Sequence, residues 1–263
     1  MIDIIIPCYN SHTTIEKTLN SIIIQSMKDK IHVLIVDDHS NHNYDSILAK
    51  YQKYLPINQI SLELNSGSGI AREKGIEITN NKYIIFLDSD DTFYDVDAVK
   101  NLYDKIEEGY DVVTSQEFDQ RIGLFLYQNG NLHGKIYGRS YLEKNDIHFN
   151  ISRFHEDNYF HNYVRISGAN ITSISDTTYF YSNNKNSITQ KNYDSMKNMD
   201  LYLSNLKELL LIAEDRNYDK DIVRLYLEEK QRYLNNTYHK LQEEEKDSLL
   251  ELLKKYNLEF IID

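Results

Sequence analysis

The densest group of chemistry-bearing side chains is Asp88-Ser89-Asp90-Asp91, three carboxylates in four residues. They close the apolar run Ile84-Ile85-Phe86-Leu87, which has the length of a buried strand and is too short for a globular helix. Carboxylates this close repel one another unless solvated or neutralised, and the common neutraliser of an Asp-x-Asp pair is a hard divalent cation such as Mg²⁺ or Mn²⁺. A solvated turn is the other reading of the same residues, because Asp and Ser are ordinary turn formers. Three further polar clusters, Tyr9-Asn10, Asp37-Asp38 and Asn65 to Gly69, also follow apolar runs.

The elements that must position these clusters alternate. Ile2 to Ile6 reads as a strand ended by Pro7-Cys8-Tyr9-Asn10, since proline cannot donate to a central ladder. A helix follows, opened by the capping box Thr13-x-x-Glu16 and carrying Ile15, Leu19, Ile22 and Ile23 on one stripe. Ile31 to Val36 is a second strand, Tyr44 to Tyr54 a weaker helix, and Ile60 to Leu64 a third strand. A glycine turn leads into the helix holding Ala71 to Gly75, then Tyr83 to Leu87 forms the fourth strand. A helix from Asp97 to Glu108 stops at Gly109, suited to a left-handed cap, before the short strand Asp111 to Thr114.

Alternation of apolar strands with helices predicts an α/β fold with a mostly parallel sheet covered on both faces. In such a sheet the strands' carboxyl ends share one edge, where ligands bind. The four polar clusters therefore converge on one crevice. From Gly123 to Phe149 the pattern is irregular, with strands at Leu124 to Tyr127 and Lys135 to Tyr137 and a helix from Ser140 to Lys144. Phe154-His155-Glu156-Asp157 leads into a short helix through about Arg165, and Thr178 to Tyr181 is another strand.

A net charge of −12 with no basic block argues against duplex nucleic acid as a partner. The single cysteine, Cys8, excludes an internal disulfide and reads as a packing residue at a strand end. No apolar stretch reaches the roughly 18 residues of a membrane span, and no leader precedes Ile2. A soluble, cytoplasmic chain is expected, peripheral at most at the inner face of the membrane.

Five motifs occur together: Pro7-Cys8-Tyr9-Asn10, Val36-Asp37-Asp38-x-Ser40, Asn65-x-Gly67-x-x-x-Ala71-Arg72-x-x-Gly75, Asp88-Ser89-Asp90-Asp91 and Glu156-Asp157. In order and spacing they resemble the inverting family 2 glycosyltransferases of GT-A fold, and the stretch from Lys135 to Leu142 is similar to members that build bacterial surface polysaccharides. The resemblance implies a catalytic domain over 1–190 and leaves 191–263 as a helical extension. It implies a nucleotide-sugar donor, UDP-linked by expectation, and a glycan or lipid-linked acceptor. Pro7 and Tyr9 would line the base and ribose pocket, and Asp38, beside Asp37, would accept the ring N–H of uracil. Asn65 belongs to the turn beside that pocket, while Arg72 at a helix start would attract the diphosphate.

The resemblance also implies that Asp90 ligates the metal and that Asp88, next to Ser89, meets ribose or the metal's water, with Asp91 as a supporting residue. Mn²⁺ is favoured over Mg²⁺. Asp157 would be the base of a single displacement, with Glu156 and His155 toward the acceptor. A helix-start carboxylate is the structural alternative for Asp157. One departure from the pattern is Ser182 after Tyr181, where many relatives carry arginine before a segment like Ser187-Ile188-Thr189; Lys185 is the candidate substitute.

Beyond Tyr193 the apolar residues Met199, Leu203, Leu206, Leu210, then Ile222, Leu225, Leu227, Leu234, then Leu249, Leu250, Leu252, Leu253 recur at helical spacing. Packing on the chain's own domain ranks ahead of a homodimer contact for this tail. Two other functions compete with transfer. One is a catalytically silent nucleotide-sugar-binding or assembly module; the other is a nucleotidyltransferase, which would want a glycine-rich basic loop where Tyr9-Asn10-Ser11-His12 stands.

Overall fold

The computed structural model describes residues 1–127, 130–184 and 195–262. The chain forms two compact units, Met1–His161 with Ala169–Asn184, and Asn162–Gly168 with the tail. In the first unit, among the described residues, nine strands form one sheet: β1 (Ile2–Cys8), β2 (Ile31–Asp37), β3 (Ile57–Ser61), β4 (Tyr83–Phe86), β5 (Thr92–Phe93), β6 (Val112–Asp119), β7 (Leu124–Tyr127), β8 (Lys135–Gly138) and β9 (Ile171–Tyr181). The path is β3-β2-β1-β4-β8-β6-β9-β5, with β7 on β6.

The first four strands of that path run parallel, as the alternating pattern predicts. The other half is mixed. β8 is antiparallel to β4 and β6, β7 to β6 and β5 to β9, while β6 and β9 run parallel. An antiparallel strand pair needs no amphipathic crossover, so this half left only the irregular stretch in the sequence.

β1 is central, and its isoleucines explain why. Ile2, Ile4, Ile5 and Ile6 are all fully buried, each stabilising the fold by about 1.5–3 kcal/mol relative to exposure. Ile2, Ile4 and Ile6 pack in one cluster with Ile15, Leu19 and Ile22 of α1 (Ile15–Ile23), Leu48 of α2 (Asp45–Tyr51) and Ala98, Val99 and Leu102 of α4 (Ala98–Ile106). On the opposite face Ile5 meets Gly75 of α3 (Ser68–Ile78). Both faces are thus covered.

Three local expectations are corrected. β1 runs on through Pro7, paired with Val36, because β4 accompanies β1 only as far as Ile5 and no ladder on that side needs proline's missing N–H. β3 is Ile57–Ser61 rather than Ile60 to Leu64, since β2 offers partners only as far as Asp37, opposite Ser61; Leu64 is exposed. The Thr13-x-x-Glu16 capping box does not form: Thr14 is the N-cap without a side-chain cap bond, and Glu16 instead accepts from Lys50.

The remaining α-helices among the described residues are α5 (Arg139–Lys144), α6 (Glu156–Ile166) and, in the tail, α7 (Ser195–Asp215), α8 (Lys220–Tyr238) and α9 (Glu243–Tyr256). The acids Glu243 to Glu245 do form the first turn of α9, closed by a Gln242–Glu245 capping box. Leu203, Leu206, Leu234, Leu249 and Leu253 are buried as the stripes require, whereas Leu225 is exposed. Asp200 of α7 accepts from Lys255 and Tyr256 of α9, and Arg165 makes a paired contact with Glu229 of α8. No helix among the described residues is long and apolar enough to cross a membrane.

The Gly75 contact sets a testable limit on how closely α3 lies against β1. A Cβ on residue 75 would come within 2.4 Å of Ile5 Cγ2. Gly75→Ala is therefore expected to destabilise the chain by about 1–2 kcal/mol, an overpacking cost partly offset by alanine's better helix propensity. Thermal or urea unfolding measures it, and a raised midpoint would contradict the packing.

Candidate active site

The crevice is assembled at the carboxyl ends of β1, β2 and β4. Asp38 N donates to Cys8 O at 2.7 Å, Asn10 N to Ser40 Oγ at 2.8 Å, and Ser11 and Ser89 share a hydroxyl bond of 2.7 Å. The first loop is thus tied to both the Asp37-Asp38 loop and the acid loop. Pro7 is partly buried and Tyr9 is 48% exposed at this edge, so Tyr9 presents an open ring. Burial, followed by the Asp37 charge, pushes the Cys8 thiol well above its ordinary value, as expected of an inert packing residue.

Asp37 and Asp38 are both buried. Asp37 accepts Ser40 N and the Ser61 hydroxyl, whereas Asp38 spends its two oxygens on Ser66 N at 2.6 Å and Gly67 N at 2.8 Å. The Asn65 side chain returns a bond to Asp38 O at 3.0 Å. The residue expected at a base therefore also clamps the glycine turn, where Gly67 at φ 98° takes a left-handed conformation.

That turn aims α3, and α3 carries Arg72. The guanidinium is buried and donates to Asp88 Oδ1 at 2.7 Å and to Glu156 Oε1 at 3.0 Å. Ser68 Oγ also bonds Glu156, and a Cβ on Gly69 would meet Glu156 Cγ at 2.9 Å, so the close approach of α3 to α6 requires glycine there. Phe149 lies beneath Arg72 and stacks on Phe160 at 4.1 Å. Arg72 Nε is buried and has no hydrogen-bond partner among the described residues. The arginine expected to face a diphosphate thus joins two acidic motifs.

The acid loop is held from the other side by β9. Tyr179 Oη donates to Asp91 Oδ2 at 2.7 Å, Ser182 N donates to Asp91 Oδ1 at 2.7 Å, and Asn184 Nδ2 donates to Asp90 Oδ2 at 2.7 Å. Lys185 and Ser187 to Thr189 lie outside the described residues.

His133, on the approach to β8, completes this group. Its Nδ1 lies 2.6 Å from Glu117 Oε2, its Nε2 3.7 Å from Asp88 Oδ2, and its ring stacks on Tyr179 at 4.3 Å. Asp88, Asp91 and His133 each offer an atom within 4.8 Å of the others'. Two carboxylates and an imidazole at that spacing fit a divalent transition metal. Neither His133 nor Glu117 was among the residues expected here, and Asp91 was expected only in support. The sequence signal that could have found His133 is a lone histidine between glycines in the irregular stretch, which specifies nothing without the antiparallel pairing.

The electrostatics separate the acids. Burial would raise Asp88, but Arg72 and His133 outweigh it and hold the carboxyl below the usual range. Burial and the neighbouring Asp88 charge raise Asp90, and burial with the other two acids pushes Asp91 up to about 8 despite His133. Burial disfavours charge on His133, yet Asp88 and Glu117 push it up to about 10. Asp157, in the first turn of α6, is raised to about 6 by burial and by Glu156, against the opposing pull of Arg72 and its bond from Asn158 N. His155 turns the chain into α6 at φ 61°.

A doubly covered α/β sheet with acids gathered at its carboxyl edge is a common setting for ligand binding, and the comparisons narrow the class. The signature of glycosyl transferase family 2 matches residues 3–156, so the chain belongs to that family. It is 32% identical over 106 residues to the poly(ribitol-phosphate) beta-N-acetylglucosaminyltransferase TarP of Staphylococcus aureus, covering 39% of this chain and 32% of that one. The crystal structure of S. aureus TarS 1–349 in complex with UDP-GlcNAc superposes with a TM-score of 0.79 at 22% identity, covering 97% of this chain and 80% of that one. The mannosyltransferase PcManGT from Pyrobaculum calidifontis, in complex with GDP-Man and Mn²⁺, gives 0.62 at 15% identity, covering 81% and 64%. The fold is GT-A. The matches span 36%, 32%, 27% and 57% of four curated relatives, well under two thirds of their length.

The Arg72 link is open to a direct test. Removing one partner of a buried ion pair strands the others, so Arg72→Ala should cost about 3 kcal/mol in denaturant unfolding. Arg72→Lys should recover only part of it, because an ammonium cannot span two carboxylates as a guanidinium fork does. An unchanged unfolding midpoint in Arg72→Ala would mean that the bridge contributes nothing.

Proposed function

We propose that the chain is an inverting glycosyltransferase that moves a sugar from a nucleotide donor, UDP-linked, to a hydroxyl of a cell-surface glycan or its lipid-linked precursor. The observation that carries this reading is Arg72, bonded at once to Asp88 of the acid loop and Glu156 beside Asp157. One guanidinium thereby ties Asp88 to Glu156, the neighbour of the proposed base, which supports a single crevice for both motifs. The UDP-GlcNAc in the TarS crystal supports the choice of donor, and the name of TarP supports a polymer of the cell wall as acceptor.

In this reading the base and ribose lie along Pro7, Tyr9, Asp37 and Asp38, with Asn65 and Ser89 holding the loops around them. Asp88 and Asp90 hold a divalent cation, Mn²⁺ by preference, which when bound supplies Lewis-acid neutralisation of the departing diphosphate. Asp157 accepts the proton of the acceptor hydroxyl as its oxygen attacks the anomeric carbon, and the bond from that carbon to the phosphate oxygen breaks on the opposite face. Glu156 and His155 line the acceptor side. Burial suits Asp157 to proton abstraction, since a carboxylate raised to about 6 is a stronger base than an ordinary one and is still ionised at neutral pH.

Only ionised Asp157 can take the proton, so kcat/KM should fall about tenfold per pH unit below pH 6 and level off above it. Asp157→Asn should lose on the order of 10²–10⁴ in kcat and keep its affinity for UDP. Donor turnover with acceptor, followed against pH beside calorimetric UDP binding, measures both. Undiminished turnover in Asp157→Asn would remove it from the role.

A further inference from the structure

We infer that His133 is a nitrogen ligand of the cation site, oriented by Glu117, and that it makes the site select Mn²⁺ over Mg²⁺. The inference deepens the proposed transfer reaction and rests on it for the cation's purpose.

Geometry supports the assignment first. His133 Nε2 faces Asp88 Oδ2 at 3.7 Å, and Asp88, the aspartate shared with the proposed Asp88–Asp90 cation site, forms with Asp91 and His133 a group whose donor atoms all lie within 4.8 Å of one another. Its other nitrogen is 2.6 Å from Glu117 Oε2, and Glu117 is itself buried. A metal-binding imidazole characteristically uses its second nitrogen on a carboxylate in this way, which fixes the ring and its tautomer. With Nδ1–H donating to Glu117, Nε2 faces Asp88 at 3.7 Å, and a cation bound there would displace its proton and take up the lone pair.

The rest of the group is built to hold that ring still. Tyr179 stacks on it nearly parallel, at 8°, and the same tyrosine donates to Asp91 at 2.7 Å and accepts from Asp88 N at 3.4 Å. Asn131 donates to Glu117 at 3.5 Å and accepts His133 N at 3.1 Å. β6 supplies Glu117, β9 supplies Tyr179 and the turn before β8 supplies His133, so three strands of the mixed half of the sheet converge under the acid loop.

Ligand chemistry then sets the preference. Mg²⁺ favours all-oxygen coordination and dehydrates reluctantly, whereas Mn²⁺ accepts an imidazole more readily and lies on the Irving–Williams series. An aspartate pair alone would discriminate little between the two. The nitrogen is what distinguishes them here.

The test uses the whole chain and Mn²⁺, with and without UDP. Pulsed electron paramagnetic resonance of bound Mn²⁺ is expected to show ¹⁴N coupling from a directly ligated imidazole, a readout that needs no variant. Calorimetry should show His133→Gln weakening Mn²⁺ binding at least about tenfold with Mg²⁺ binding changed far less, and Glu117→Gln weakening Mn²⁺ about 10- to 100-fold. Melting curves in chelator confirm that the variants fold. Bound Mn²⁺ without ¹⁴N coupling, no Mn²⁺ binding at all, or equal losses for the two metals in a folded His133→Gln would overturn the assignment. Nitrogen-ligated Mn²⁺ in a chain that turns over no nucleotide sugar would leave the ligand in place and remove the proposed transfer reaction instead.

Discussion

The site depends on a buried positive charge that has more than one negative partner. Arg72 is 5% exposed, and taking a guanidinium out of water is costly unless its donors are met by anions. Asp88 and Glu156 meet two of its nitrogens from segments 16 and 84 residues away. The same condition applies in reverse: Asp88 and Glu156 tolerate burial because Arg72 lies between them. Neither motif can move without stranding a charge, so the crevice closes as one unit.

Much of the first unit serves to bring that arginine to its partners. The parallel half of the sheet delivers the loops to one edge, and Asp38 fixes the turn from which α3 departs. Gly69 lets α3 approach Glu156, and Gly75 lets it lie against Ile5 of β1. The aromatic rings of Phe149 and Phe160 fill the space beneath, where a smaller side chain would admit water and weaken the ion pairs. The mixed half of the sheet then supplies Glu117, His133 and Tyr179 from below.

The legible part of this arrangement was the part governed by local pattern. Apolar runs ending in polar clusters identified β1, β2 and β4 and the edge they share, because parallel strands buried on both faces leave an unbroken apolar signature. The two acidic motifs and Arg72 could likewise be picked out, though not their mutual bonding, which belongs to side-chain geometry. β3 slipped by three residues at its start because strand ends are set by the partner strand, and nothing in Ile60 to Leu64 reports where β2 stops. His133 was invisible for a related reason. Its partners Glu117 and Tyr179 lie 16 and 46 residues away along the chain, and only the pairing of β6 with β8 and β9 brings them together.

The crowded carboxylates also explain how one crevice can hold acids of opposite character. Asp88 touches Arg72 directly and faces His133, so its charged form is favoured despite burial. Asp157 is buried beside Glu156, whose nearest cation is already shared with Asp88, and it is raised to about 6. The arginine thus keeps Asp88 charged, while burial and Glu156 outweigh its pull on Asp157. Environments that push two carboxylates apart in this way distinguish a binding anion from a base. The contrast follows from how closely each acid lies to Arg72, and Arg72 sits where the glycine turn after β3 sends α3.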